Sequence, residues 1–153
     1  MKLATWTVAG IAAGLAAATL LVPATANASA AEPPASSAAR STDVNFHNDT
    51  DCTLVQIGKE TYHGIWVIEP NASIAPHSSD HFKTESDGFL TGTEAAIKYR
   101  ATNCSRAGKE VRFHWSNPYY GRNSYDFNGT DGAFTTRYTG GNGNNATVDA
   151  YVS

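Results

Sequence analysis

Acid–base chemistry needs a carboxylate, an imidazole and a counter-charge, and the chain places Glu85 or Glu94 with Arg112 and His114, the residue types used by small secreted nucleases. Their spacing does not by itself assemble a site. The five histidines, His47, His63, His77, His81 and His114, show no HExxH or other close ligand spacing. His77 and His81 are four apart, but Pro76 marks a loop, so that interval does not bring them to one helix face and no metal is expected. No serine sits in a nucleophile elbow, and neither cysteine is set up for nucleophilic catalysis. No cofactor and no enzymatic activity are expected.

What remains is a stretch of rings, Phe113-His114-Trp115-Ser116-Asn117-Pro118-Tyr119-Tyr120-Gly121-Arg122-Asn123-Ser124-Tyr125. Val111, Phe113 and Trp115 alternate with Arg112 and His114, the period of a half-buried strand. Pro118 ends that strand, so Tyr119 and Tyr120 are expected on a turn or loop at the end of a sheet. Two readings stand. The rings cover the edge of a small core with their hydroxyls in water, or they form a platform for a ligand. Tyr and Trp carry an apolar body and a polar tip, which suits a lipid headgroup layer or the face of a sugar, and such rings attract quaternary ammonium groups.

The elements that would hold this loop are strands. Val44 and Phe46 alternate with Asn45 and His47 before the turn Asn48-Asp49-Thr50-Asp51. Thr53 to Ile57 forms a second strand ended by Gly58, and Ile65-Trp66-Val67-Ile68 is an unbroken apolar run expected to be buried on both faces. Pro70-Asn71 and Pro76-His77-Ser78-Ser79 are turns, His81 to Glu85 is a short strand and Asp87-Gly88 turns again. Thr91 to Arg100 has a capping-box spacing in Thr91 and Glu94, but Ile97 and Tyr99 alternate with Lys98 and Arg100, and strand is preferred. Phe134 to Tyr138 and Ala146 to Val152 are two more strands around a Gly-Asn loop. Short strands, frequent turns and no convincing helix predict an all-β domain, a compact antiparallel sandwich or barrel.

Residues 1–28 read as a secretory signal: Lys2, an apolar run from Val8 to Val22, and the small-residue site Ala26-Asn27-Ala28. Residues 29–42, nearly all Ala, Ser, Pro and Glu, read as a flexible leader, and residues 43–153 as one domain. Export makes a Cys52–Cys104 disulfide the expected state, two free thiols being the alternative. Without Lys2 the chain keeps 10 basic against 14 acidic residues, a net of −4, which argues against nucleic acid as a partner. Asn-x-Ser/Thr sequons begin at Asn48, Asn71, Asn103, Asn128 and Asn145 and matter only in a host that glycosylates exports.

Gly88-Phe89-Leu90-Thr91-Gly92-Thr93-Glu94 with its strand to Tyr99, Trp115-Ser116-Asn117-Pro118-Tyr119, and the Gly-Asn loop before the last strand together resemble the aegerolysin family. The likeness is to its bacterial crystal-protein branch and runs from about Val44 to Val152. It implies a β-sandwich similar to that of actinoporins, which bind membranes through lipid headgroups and in some members lyse cells. Many fungal aegerolysins recognise particular sphingolipids and need a separate pore-forming protein.

Carried over, the actinoporin pattern aromatic-Ser-x-Pro-Tyr falls on Trp115, Ser116, Asn117, Pro118 and Tyr119, with Ser116 and Pro118 lining a headgroup pocket. Tyr125 stands for a further pocket tyrosine if one residue is inserted before it, and the pocket valine falls on Glu94. A carboxylate there faces a choline or ethanolamine nitrogen, or serves as an internal salt-bridge partner. The paired tyrosines that complete the actinoporin site have no match after Tyr125, and fungal aegerolysins usually carry Cys and Trp where this chain has Asn117 and Tyr119. Residues 29–42 lack the apolar stripe of an inserting helix, so binding without autonomous lysis is expected.

The leading expectation is therefore a secreted lipid-binding protein, a toxin or cytolysin component, that docks on sphingolipid or phospholipid headgroups. Glu94, Trp115, Ser116, Asn117, Pro118, Tyr119, Tyr120 and Tyr125 are its candidate site, and a pore-forming protein its candidate partner. A carbohydrate-binding module using the same rings is the alternative. A small hydrolase or nuclease built on Glu94, Arg112 and His114 is the third reading.

Overall fold

Alternation along the sequence becomes alternation between core and solvent. The computed structural model describes residues 39–153. In β1 (Ser41–Asn48), Val44 and Phe46 point inward while Asn45 and His47 are only half-buried. The same two-residue period runs through β5 (Ser78–Glu85), β6 (Thr93–Thr102), β7 (Glu110–Asn117) and β10 (Asn145–Val152). β2 (Thr53–His63), β3 (Ile65–Ile68), β4 (Ser73–Ile74), β8 (Ser124–Asp126) and β9 (Thr136–Gly140) complete the set, with no helix among the described residues.

The strands form two five-stranded sheets, in the orders β3-β5-β1-β10-β9 and β4-β2-β6-β7-β8. Every pair is antiparallel except β1–β10, which runs parallel from Ser41↔Asn145 to Asn48↔Val152. A parallel pair needs a long crossover, and here nearly the whole domain lies between the two strands. The inner faces meet in a core of Val44, Phe46, Phe82, Val148 and Val152 against Leu54, Ile97, Tyr99, Val111, Phe113 and Trp115. Aromatic contacts cross from sheet to sheet, Phe46 to Tyr99 at 5.2 Å and Phe82 to Trp115 at 5.6 Å between ring centroids. The molecule is thus an all-β sandwich.

Cys52 and Cys104 are disulfide-bonded, 52 residues apart in sequence. The bridge ties the start of β2 to the end of its antiparallel neighbour β6, next to the pair Thr53↔Thr102.

Several expectations need correction. The apolar run Ile65–Ile68 is an edge strand, with Ile65, Val67 and Ile68 exposed by 47%, 48% and 39%, and only Trp66 reaches the core. An unbroken apolar run has no alternation to say whether a second layer covers it. Gly58 does not end β2; the strand passes through it at a register shift and continues to His63. Ser78 and Ser79 belong to β5 rather than to the preceding turn, and Phe134 precedes β9. The expected signal segment lies outside the described residues. Of the expected leader, Ser41 and Thr42 are instead buried in β1, and the Arg40 N–H donates to the Ser86 hydroxyl.

Candidate functional site

At one end of the sandwich the close of β2, the start of β6, the close of β7 and two loops surround a cleft of about 420 Å³. Its lining includes His63, Leu90, Thr91, Gly92, Glu94, Ser116, Pro118, Tyr119 and Tyr120. Pairing of β6 with β7 sets Glu94 directly opposite Ser116, both on the outer face, with the Ser116 hydroxyl 3.5 Å from Glu94 Oε2. Gly92 brings the 86–92 loop against the proline turn: a Cβ there would lie 2.6 Å from the Asn117 carbonyl oxygen. Any larger residue would push the loop off and open the cleft.

Behind Glu94 stands a charged chain. His114 lies with Nε2 3.0 Å from Glu94 Oε1 and Nδ1 2.9 Å from Asp126 Oδ2, and the Tyr62 ring meets the imidazole edge-on at 5.9 Å. Arg112 approaches Asp126 at 3.7 Å. Both imidazole nitrogens thus face carboxylates, which fixes the ring and leaves neither nitrogen aimed at the cleft. Of the two sequence readings of Glu94, the structure shows the internal partner, with one oxygen on His114, and the residue also lines the cleft.

Burial raises the Asp126 carboxyl, but the His114 hydrogen bond, the Asn128 N–H and the charges of His114 and Arg112 outweigh it and hold the pKa below the ordinary aspartate value of 3.8. A carboxylate with a depressed folded pKa contributes stability above its unfolded pKa and loses that contribution as pH falls through the folded value. The difference in melting temperature between the native chain and Asp126→Asn is therefore expected to persist at neutral pH and to vanish below the ordinary aspartate pKa. A difference that stays constant with pH in thermal melts would refute this.

The structure sorts the expected site residues into two groups. Glu94, Ser116, Pro118, Tyr119 and Tyr120 converge on the cleft, Tyr120 being 80% exposed and its ring 4.8 Å from that of Tyr119. Trp115, Asn117 and Tyr125 do not. Trp115 is fully buried and donates its indole N–H to the Thr84 hydroxyl at 2.9 Å. Asn117 is equally buried, its amide donating to the carbonyls of Ser41 at 2.9 Å and Asn144 at 3.0 Å. Tyr125 packs on Phe113 and donates its hydroxyl to the Gly141 carbonyl at 2.8 Å, and burial pushes its pKa up. These three are packed into the framework, and a side chain buried between the sheets cannot reach a ligand outside.

Sequence reasoning missed His63 and Leu90, which line the cleft, and Phe89 beside Leu90. Leu90 has a positive φ of 57°, unusual for a residue with a side chain, and is 41% exposed, while its neighbour Phe89 is 89% exposed. The motif around them was visible, but its outward orientation depends on a backbone conformation that composition does not reveal. Asp126 was missed because β8 is only three residues long.

No protein-family model matches the chain. An uncharacterized protein of Dictyostelium discoideum is 29% identical over 101 residues, covering 65% of this chain but 9% of its own length, so the chain spans less than a tenth of that relative. Among solved structures, the lipid binding protein Nakanori is similar with a TM-score of 0.64 and 15% identity, over 78% of this chain and 72% of that one. RahU, crystallised in complex with a TRIS molecule, is similar with a TM-score of 0.61 and 13% identity, over 76% of this chain and 96% of that one. At such identities the likeness is one of fold.

Proposed function

We propose that this chain is an exported, aegerolysin-like protein that binds membrane lipid and docks through the end of the sandwich bearing the Glu94 cleft. The carrying observation is a carboxylate in a cleft whose lining includes Tyr120, 80% exposed, and Leu90, whose chain neighbour Phe89 is 89% exposed. Rings held in water on a rigid scaffold gain by entering the interfacial layer of a bilayer, where an aromatic body and a hydroxyl tip are both accommodated. A headgroup ammonium of a sphingolipid or phospholipid then meets Glu94 and Ser116, with Tyr119 and Tyr120 supplying ring faces. The similarity in fold to Nakanori, a lipid binding protein, supports this reading. In it, lysis belongs to a separate pore-forming partner, and the chain contributes the lipid recognition of a toxin assembly.

Sedimentation with vesicles of phosphatidylcholine, sphingomyelin, phosphatidylethanolamine and phosphatidylglycerol tests the assignment. Vesicles with ammonium headgroups are expected to bring the protein down. Glu94→Gln keeps the shape but removes the charge, and is expected to weaken that binding roughly tenfold, the scale of one charged hydrogen bond. Failure of every vesicle to bind would sink the proposal, and binding on a glycan array instead would move the same rings to a carbohydrate-binding module.

A further inference from the structure

On the other side of the proline turn lies a second cleft, of about 410 Å³, lined by Arg40, Pro118, Gly121, Arg122, Asn123 and residues 142–144. Its chemistry is the reverse of the first. Each of Lys59, Lys83, Lys98 and Lys109, and each of Arg100, Arg106 and Arg112, has a carboxylate partner. Among the described residues Arg40, Arg122 and Arg137 have none, and Arg137 stacks instead on the Tyr151 ring, 3.5 Å from its centroid. The other two share this cleft, and no acidic residue lines it among the described residues. Among the described residues, where most basic side chains have a carboxylate partner, two guanidinium groups without one meet in one place.

The walls are preformed. Arg40 donates to the carbonyls of Ala39, Pro118 and Tyr119 and lies 4.8 Å from the centre of the Tyr119 ring, so its head is fixed while its charge meets no anion among the described residues. The Asn123 amide donates to the carbonyls of Gly141 and Gly143, both at 2.9 Å, joining the two loops. Gly141 and Gly143 have φ of 80° and 87° and flank Asn142, whose φ is not positive. Such sign alternation is the backbone pattern of anion-binding concavities, and the N–H groups of Asn142, Gly143 and Asn144 take no part in the backbone bonds of the loops.

We propose that this cleft is a binding site for a phosphate-type oxyanion, held by the guanidinium groups of Arg40 and Arg122 and by N–H groups of the Gly-Asn loop. Planar guanidinium forks match tetrahedral oxyanions, and loop N–H groups add donors that need no reorganisation. The site goes beyond the lipid-docking proposal and stands without it, since the ion is either the phosphodiester of a headgroup or a soluble phosphate group.

The probe is inorganic phosphate added at constant ionic strength to the ¹⁵N-labelled domain, with backbone amides followed by NMR. Saturable shifts confined to Gly121–Asn123 and Asn142–Asn144 are expected. Arg122→Ala is expected to raise the midpoint roughly tenfold, Arg122→Lys less, and Glu94→Gln not at all. Arg122 makes no internal hydrogen bond among the described residues, so its loss should leave the melting temperature unchanged. Shifts that never saturate through the millimolar range, or an unchanged midpoint in Arg122→Ala, would overturn the site whatever the vesicles do. Given saturation, displacement of the protein from phosphatidylcholine vesicles by inorganic phosphate identifies the lipid phosphodiester as the ion. Undisturbed or absent vesicle binding identifies a soluble phosphate.

Discussion

Replacing Phe89 and Tyr120 together with alanine is expected to abolish vesicle sedimentation at protein concentrations where the native chain binds, without lowering the melting temperature. Both side chains are almost wholly in solvent, so truncation removes little that supports the fold. Each ring carries about 1.5–3 kcal/mol of transfer free energy if fully buried, and interfacial insertion takes part of that. At the low end of that range full burial of both would amount to about 3 kcal/mol, more than a hundredfold in affinity, and burial of half of each ring still amounts to roughly tenfold. Tyr120 alone is expected to cost less, because Tyr119 beside it still offers a ring, although one pinned under Arg40. Sedimentation of the double variant at the native level would mean that the exposed rim does not meet lipid, and the docking reading would fall with it.

The distinction between the exposed rings and the buried ones was only half legible in the sequence. Alternation in β7 put Val111, Phe113 and Trp115 on one face, and Asn117 continues that series into the core. A period of two names the face but not what covers it. Trp115 is covered by Trp66 and Phe82, which approach from the opposite sheet through β3 and β5, and no local pattern announces so distant a contact. Pro118 was informative because it cannot continue a ladder, and Tyr119 and Tyr120 do sit on the loop that it begins. The disulfide and the preference for strand over helix at Thr91 to Arg100 also agree with the structure, which has β6 at Thr93–Thr102. The cluster of Glu94, His114 and Asp126 spans three strands and exists only once their register is known. The basic cleft was hidden for a related reason: overall negative charge masks two arginines that have no carboxylate partner among the described residues.

The burial of Trp115 sets up a second large effect, one that separates the buried rings from the exposed ones. Trp115→Ala is expected to destabilise the domain by about 3–5 kcal/mol, the range for truncating a buried tryptophan. The cavity would open among Trp66, Phe82 and Phe113, whose rings all lie within 5.7 Å of it, and the Thr84 hydroxyl would lose the indole donor. Native domains commonly hold only about 5–15 kcal/mol in total, so this variant is expected to leave little folded protein to assay. Trp115→Phe refills most of the space and loses chiefly the hydrogen bond, at about 1 kcal/mol. Urea titration followed by tryptophan-independent far-ultraviolet dichroism measures both costs, with a lower midpoint and an unchanged slope expected for each. Because the side chain is inside, folded Trp115→Phe should bind vesicles as the native chain does while Phe89→Ala with Tyr120→Ala does not. Loss of vesicle binding in a stably folded Trp115→Phe would instead show that the indole reaches the lipid through an opening of the sandwich, and the division of the aromatic residues drawn from their burial would be wrong.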